Sequence, residues 1–188
     1  MRRALQHVGV FLVAGLVLLT PSVWAVYTST TLHDWRDSPR SDGQRYVVSQ
    51  REYVPQELDE TGVAAVVATL QTWRGQPTDE ATAYEELLAR EFDYTLASFS
   101  SLATDMGLEG HWVEAGTAAL AQLNVPFIAH LDDAGGRFII VREVRQGYLY
   151  ATDPAAGNVL YPIANFAEVW TGRALAFPEP PPLPEARQ

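Results

Sequence analysis

The feature that most constrains this chain is the run Gly62-Val63-Ala64-Ala65-Val66-Val67-Ala68-Thr69-Leu70, which carries no charge and a single polar side chain. Continued to about Trp73, it reads as a helix apolar nearly all round, and such a helix belongs in an interior. Thr61 is expected to cap it, its hydroxyl accepting an orphan N–H of the first turn. Gly75 and Pro77 end it. The rest of the chain therefore has to wrap this one element.

Two further helices follow from pattern. Thr78 to Arg90 is amphipathic, with Asp79 and Glu80 in its first turn, where the helix dipole favours negative charge. Ser98 to Met106 is the next, stopped by Gly107, and Thr117 to Leu123 reads as a short helical turn. After Asn124 the period changes. Pro126 to Leu131, Arg137 to Val144 and Tyr148 to Thr152 are apolar, β-branched runs split by Asp-Asp-Ala-Gly-Gly and by Gln-Gly, as in strands joined by tight turns. Asn158 to Tyr161 and Ala174 to Phe177 supply two more around a helical piece at Asn165 to Trp170. Arg45 to Tyr53 has strand character ahead of the helices. Helices first and a meander afterwards predict an α+β domain: N-terminal helices, one of them central and buried, packed on a C-terminal antiparallel sheet.

With 188 residues, one domain is expected, over residues 45–177. Residues 26–44 are a polar lead-in loop, and 178–188, with five prolines, a disordered or polyproline tail. Residues 1–25 look like a targeting segment: Arg2 and Arg3 precede the apolar stretch Val8 to Leu19, Pro21 breaks it, and Val23-Trp24-Ala25 suits a signal-peptidase cut. The expectation is a periplasmic or extracellular protein. The rival is an uncleaved inner-membrane anchor over residues 8–25, with Trp24 and Tyr27 at the interface.

Composition removes several functions. There is no cysteine, hence no disulfide, thiolate metal site or cysteine nucleophile. All 13 basic residues are arginine and the net charge is −10, so nucleic acid is not an expected partner. No Gly-x-x-x-x-Gly-Lys loop is present, which excludes a transport ATPase within this chain. Neither a metal nor another cofactor is expected.

The stretch from Val54 through Gln56, Asp59, Thr61 and Gly62 to Ala68-Thr69-Leu70 resembles the opening motif of the bacteriocin-processing, double-glycine leader peptidases, family thirty-nine of the papain-like cysteine peptidases. Val125 to Leu131 is similar to that family's strand before its catalytic histidine. Arg137-Phe138-Ile139-Ile140-Val141 resembles the histidine strand itself, and Tyr148 to Asn158 the segment carrying the third catalytic residue. Phe166, Trp170 and Gly172 resemble its closing Phe-Trp-Gly pattern. The resemblance implies a papain-like fold over residues 45–177 and a cysteine-type endopeptidase site.

The departures fall on that site. The family's nucleophilic cysteine aligns with Gly62, its next glycine with Val63, and its catalytic histidine with Arg137. Gln56, the oxyanion-hole side chain by resemblance, and Asp153, the orienting acid, are retained. Cleavage by such a site needs a thiolate at a helix N-terminus and an imidazole that takes and returns a proton. Gly62 has nothing to attack with, and Arg137 stays protonated at any working pH. Arg137 and Asp153 are expected to form a charge-assisted pair. His130, His33 and His111 read as ordinary surface or sheet residues, and Trp73, Trp112 and Trp170 as core.

The expected function is thus an inactive, exported peptidase-like domain that binds peptide or unfolded cargo through Gln56, Thr61, Arg137 and Asp153, in a secretion or surface-assembly system. Secretion machinery is a further partner class, and contact with a membrane is expected only through an uncleaved N-terminal segment. Two alternatives stand beside it: an active peptidase with a non-cysteine nucleophile such as Thr61, and a structural assembly factor.

Overall fold

The computed structural model describes residues 45–132 and 136–184, which belong to one compact unit, residues 39–188. The expectations for residues 1–25 and for the lead-in loop over 26–44, and His33 with them, lie outside the described residues. Strand β1 (Tyr46–Ser49) comes first, then α1 (Gly62–Trp73), α2 (Glu80–Ala89) and α3 (Leu96–Asp105). Strand β2 (His111–Glu114) precedes a 3-10 turn at Thr117–Gln122. The sheet continues with β3 (Phe127–Leu131), β4 (Arg137–Arg145), β5 (Tyr148–Asp153) and β6 (Gly157–Pro162). Helix α4 (Ile163–Val169) and β7 (Trp170–Ala176) complete the order.

The α+β class holds, with a correction to where the strands come from. The seven strands form one antiparallel sheet in the order β1-β6-β5-β4-β3-β7-β2. Both edges come from outside the C-terminal meander: β1 precedes the helices, and β2 follows α3. Strand β2 has no period-two apolar pattern; it exists because His111 to Glu114 pair with Arg173 to Ala176. The β4–β5 hairpin closes through Gln146 (φ 50) and Gly147 (φ 81), the left-handed pair a two-residue turn with the right twist demands.

Helix α1 is buried as its composition requires: Ala64, Ala65, Val66 and Ala68 have no exposed surface. It packs with Ala83 and Leu87 of α2, Phe99 and Leu102 of α3, and Ile128, Phe138 and Ile140 of the sheet. The opposite sheet face places Phe127, Ala129, Ile139, Val141, Leu149 and Val159 with Phe166 of α4. Strands β3 and β4 are thus covered on both faces, and this is why their sequences are almost continuously apolar. Partial burial of Trp73, Trp112 and Trp170 against these clusters agrees with their reading as core.

The cap at Thr61 is corrected. Thr61 is the residue before α1, but its side chain makes no capping bond. Its hydroxyl lies against the Leu58 carbonyl (2.8 Å) and the Glu80 carboxylate, because a buried hydroxyl (3 % exposed) follows the strongest acceptor in reach. Asp79 and Thr95 are the true side-chain caps, accepting from Thr82 N (2.8 Å) and Ser98 N (3.2 Å). At the tail, residues 178–184 have no helix or strand, yet Pro181 is buried, so the early tail is not free chain.

Candidate functional site

Four segments carry the residues singled out from sequence: the loop with Gln56, the start of α1 at Gly62, Arg137 opening β4, and Asp153 ending β5. Helix α1 packs on β4, which brings the first pair toward the second. The backbone N–H of Gln56 donates to the Pro154 carbonyl at 2.9 Å, joining the Gln56 loop to the residue after Asp153. A Cβ built on Gly62 would stand 3.0 Å from Gln56 Oε1 and 3.4 Å from its Cδ. A side chain at position 62 would therefore point at the Gln56 amide. Gln56 Nε2 is taken up by the carbonyls of Leu58 (2.8 Å) and Asp59 (3.1 Å).

Asp153 is 1 % exposed, and a polar group so buried is costly without partners. Nη1 of Arg137 donates to its Oδ2, so the pair expected from sequence is present. A second guanidinium, that of Arg45, donates to the same oxygen. Both arginines also donate to the Tyr161 hydroxyl, each at 3.1 Å. The remaining oxygen, Oδ1, accepts the N–H of Ala155 at 3.1 Å, the turn-starting bond an Asp-Pro pair favours. Burial first, and Asp153 second, push the Tyr161 hydroxyl above its ordinary pKa, opposed by Arg137 and Arg45. Burial lowers the pKa of Arg45, but Asp153 and Tyr161 together outweigh it and leave it raised.

Thr61 does not join this group. Its hydroxyl belongs to a second cluster in which Glu80, 8 % exposed, also accepts the N–H of Glu57 at 2.7 Å. That cluster holds the loop leading into α1. His130 sits on β3, with its Nδ1 3.2 Å from Thr171 Oγ1. Burial, then Arg173, lower its pKa, and Asp132 opposes them. His111 is exposed on edge strand β2. Among the described residues no group of three or more His, Cys, Asp or Glu side chains could hold a metal ion.

Sequence reasoning missed Arg45, Tyr161 and Glu80. Arg45 lies 108 residues from Asp153 and no local pattern marks it. Tyr161 read only as a strand residue, and Glu80 only as a charge in a first turn.

The profile of the peptidase C39 family matches residues 50–181, a span that contains every residue of this site except Arg45. The chain belongs to the peptidase C39 family. A curated relative from Pseudomonas aeruginosa, described as probable functional amyloid protease FapD, is 28 % identical over 134 residues, which is 66 % of this chain. The chain covers 59 % of that relative's length. Among solved structures, the peptidase domain of Streptococcus ComA, a bifunctional ABC transporter of a quorum-sensing pathway, superposes with a TM-score of 0.59 at 20 % identity. That match covers 70 % of this chain and 98 % of the ComA chain. A double glycine motif protease from an AMS/PCAT transporter, solved with its leader peptide, gives a TM-score of 0.58 at 21 % identity, covering 71 % and 96 %. These likenesses establish the C39 papain-like fold. Within that fold, position 62 carries no side chain and position 137 carries a guanidinium.

Proposed function

We propose that this C39-family chain does not cleave peptides and instead holds an extended segment of exported cargo in the cleft between α1 and the sheet. The observation that carries the reading is the engagement of Arg137 with buried Asp153. A group that never releases its proton stands where a general base is required, and its guanidinium is committed to the acid that would orient such a base. Gly62 removes the nucleophile at the same time. Groove recognition of a peptide relies on backbone bonds and side-chain pockets and needs neither the nucleophile nor the base. The leader peptide held by the solved double glycine motif protease supports peptide as the ligand class. The similarity to FapD, described as a probable functional amyloid protease, supports cargo of a functional-amyloid system, and Arg2-Arg3 with the apolar stretch Val8 to Leu19 supports export. Secretion machinery as a standing partner belongs to the same reading.

An active peptidase built on Thr61 gains little from the geometry. A hydroxyl beside a carboxylate has the right composition, but Thr61 is 3 % exposed and its oxygen is enclosed by Leu58 and Glu80.

The test is equilibrium binding of peptides of the double-glycine type to the purified chain, with mass spectrometry of the same mixtures after prolonged incubation. Saturable binding without any cut is expected. Cleavage by the parent chain would overturn the inactive assignment, and absence of binding to every such peptide would overturn the cargo role.

A further inference from the structure

The sheet carries an open aromatic groove at the end opposite the Arg137 and Asp153 cluster: Asp153 closes β5, whereas Tyr148 opens it. Helix α1 packs on β4 and ends at Trp73. Tyr46, Leu160, Tyr150 and Glu143 are register partners across β1, β6, β5 and β4, so their side chains share one face. The alternate residues Leu149, Val159 and Tyr161 pack on the other. Glu143, Arg145, Gln146, Tyr148, Tyr150 and Leu160 line a groove of about 360 Å³, and Tyr46 continues it onto β1. Tyr46 and Tyr148 are 49 % and 43 % exposed. Tyr150 is fixed by Arg142, whose guanidinium stands 5.3 Å from its ring centre and 5.1 Å from that of Trp73.

The tail supplies a segment that fits. Residues 178–188 hold five prolines, and such runs favour the polyproline II helix, ordered before it binds anything. Its three-residue turn puts Pro178, Pro181 and Pro184 on one side and Pro180 and Leu183 on a second. Pro181 is buried, whereas Pro180 is exposed and Leu183 is 37 % exposed. One polyproline II turn advances about 9 Å, and the two strand spacings from Tyr150 to Tyr46 span about 9.5 Å. Pro180 over Tyr150 therefore brings Leu183 over Tyr46 and leaves Glu179 on the β4 side, beside Arg145. Arg145 is 71 % exposed and holds Glu143 at 3.1 Å; an exposed pair of this kind is worth little, so its guanidinium can serve a second carboxylate. With Arg142 and Arg145 against Glu143, this rim does not repel another copy of an acidic chain. No tail residue lines the groove of its own chain, and buried Pro181 fixes the tail elsewhere, so the occupant comes from a second copy.

We infer that this groove docks the proline-rich tail of a second copy of the chain, with Pro180 and Leu183 on the row Tyr150, Leu160 and Tyr46, and Glu179 against Arg145. Aromatic-lined grooves take proline-rich segments in this way. Groove and tail are different surfaces, so every copy offers both halves of the contact. The contact is independent of what the cleft at Gln56, Arg137 and Asp153 binds.

The experiment uses the full chain, with sedimentation equilibrium for its mass and amide NMR shifts on adding a synthetic peptide of residues 177–188. The mass is expected to rise with concentration, and the peptide to shift Tyr46, Glu143, Tyr148 and Tyr150. Pro180→Ser with Leu183→Ser replaces exposed side chains only, folds normally, and weakens self-association about fivefold or more. Arg145→Glu and Glu179→Arg each weaken it about threefold, and the two in one chain restore it. Tyr148→Ser weakens binding of the tail peptide and leaves that of double-glycine peptides unchanged, so the two readings fail separately. A monomer at every concentration, peptide shifts outside the groove, or charge reversals that do not compensate would overturn the inference. So would a tail variant that associates as the parent does, which would make the contact one of groove face on groove face.

Discussion

Arg137 and Asp153 are bonded through the one carboxylate oxygen that Arg45 also holds. Two guanidinium groups, 16 % and 22 % exposed, thus converge on an acid that is 1 % exposed. The arrangement binds the segment ahead of β1 to the ends of β4 and β5.

Removing the acid should cost more than removing either arginine. Asp153→Asn leaves two cations facing each other without their shared anion, and a loss of about 2–4 kcal/mol is expected, below the fully buried limit because both arginines reach water. Arg137→Ala leaves Arg45 in place and should cost about 1–2 kcal/mol. Denaturant titration of both variants checks the order; an Asn variant as stable as the parent would show that the cluster contributes nothing.

Position 62 offers a direct probe of residual site geometry. Gly62→Cys alone should stay inactive, since Arg137 cannot accept a proton. Its thiol should nonetheless be alkylated faster than a free cysteine, with a pKa below about 8.5 from its place at the helix N-terminus. Gln56 must yield a few tenths of an ångström for the new Cβ. Gly62→Cys with Arg137→His is expected to cut double-glycine peptides at a measurable rate. A folded double variant that neither binds nor cuts would mean that the cleft no longer fits such peptides.

Glu80 should matter for stability and not for chemistry. Glu80→Ala strands the Glu57 N–H and leaves the Thr61 hydroxyl only the Leu58 carbonyl as acceptor, at about 1–3 kcal/mol, and faster amide exchange is expected over residues 57–61. Thr61→Ala should change no peptide turnover, because none is expected in the parent. Any cleavage present in the parent and lost in Thr61→Ala would revive the active-enzyme reading.

Acid should weaken the fold through His130. Its folded-state pKa lies below the ordinary value of 6.5, so the unfolded chain takes up this proton first as pH falls. The stabilisation is complete above about pH 6.5 and is lost as pH drops through the folded pKa. His130→Asn should flatten the stability curve in that window, as read by urea midpoints at a series of pH values. An unchanged slope would remove His130 from the account.

Much of the fold was legible because its signals are local. Alanines and valines through Leu70 admit only a buried helix, and the runs from Phe127 to Asp153 are apolar and β-branched between turn residues. The edges were not legible. Strand β2 is four residues, two of them polar, and forms only by pairing with β7, while β1 keeps four of the nine residues its sequence suggested. Helix ends moved for the same reason: Asp79 and Thr95 won as caps by reaching a free N–H, whereas Thr61 was drawn to Glu80.

The sequence by itself determined that this chain has no thiol, that glycine opens its central helix, and that arginine opens the strand after Asp-Asp-Ala-Gly-Gly. Spacing from Gln56 within one loop and helix is enough to read position 62, and a missing side chain needs no structure to be noticed. Only the tertiary structure decided that Asp153 has two arginines, that Tyr161 joins them, and that Thr61 turns away from the cleft. Those choices depend on burial and on partners as many as 116 residues apart. The strength of a charged contact is set by the water that packing excludes around it, which no local stretch of sequence contains.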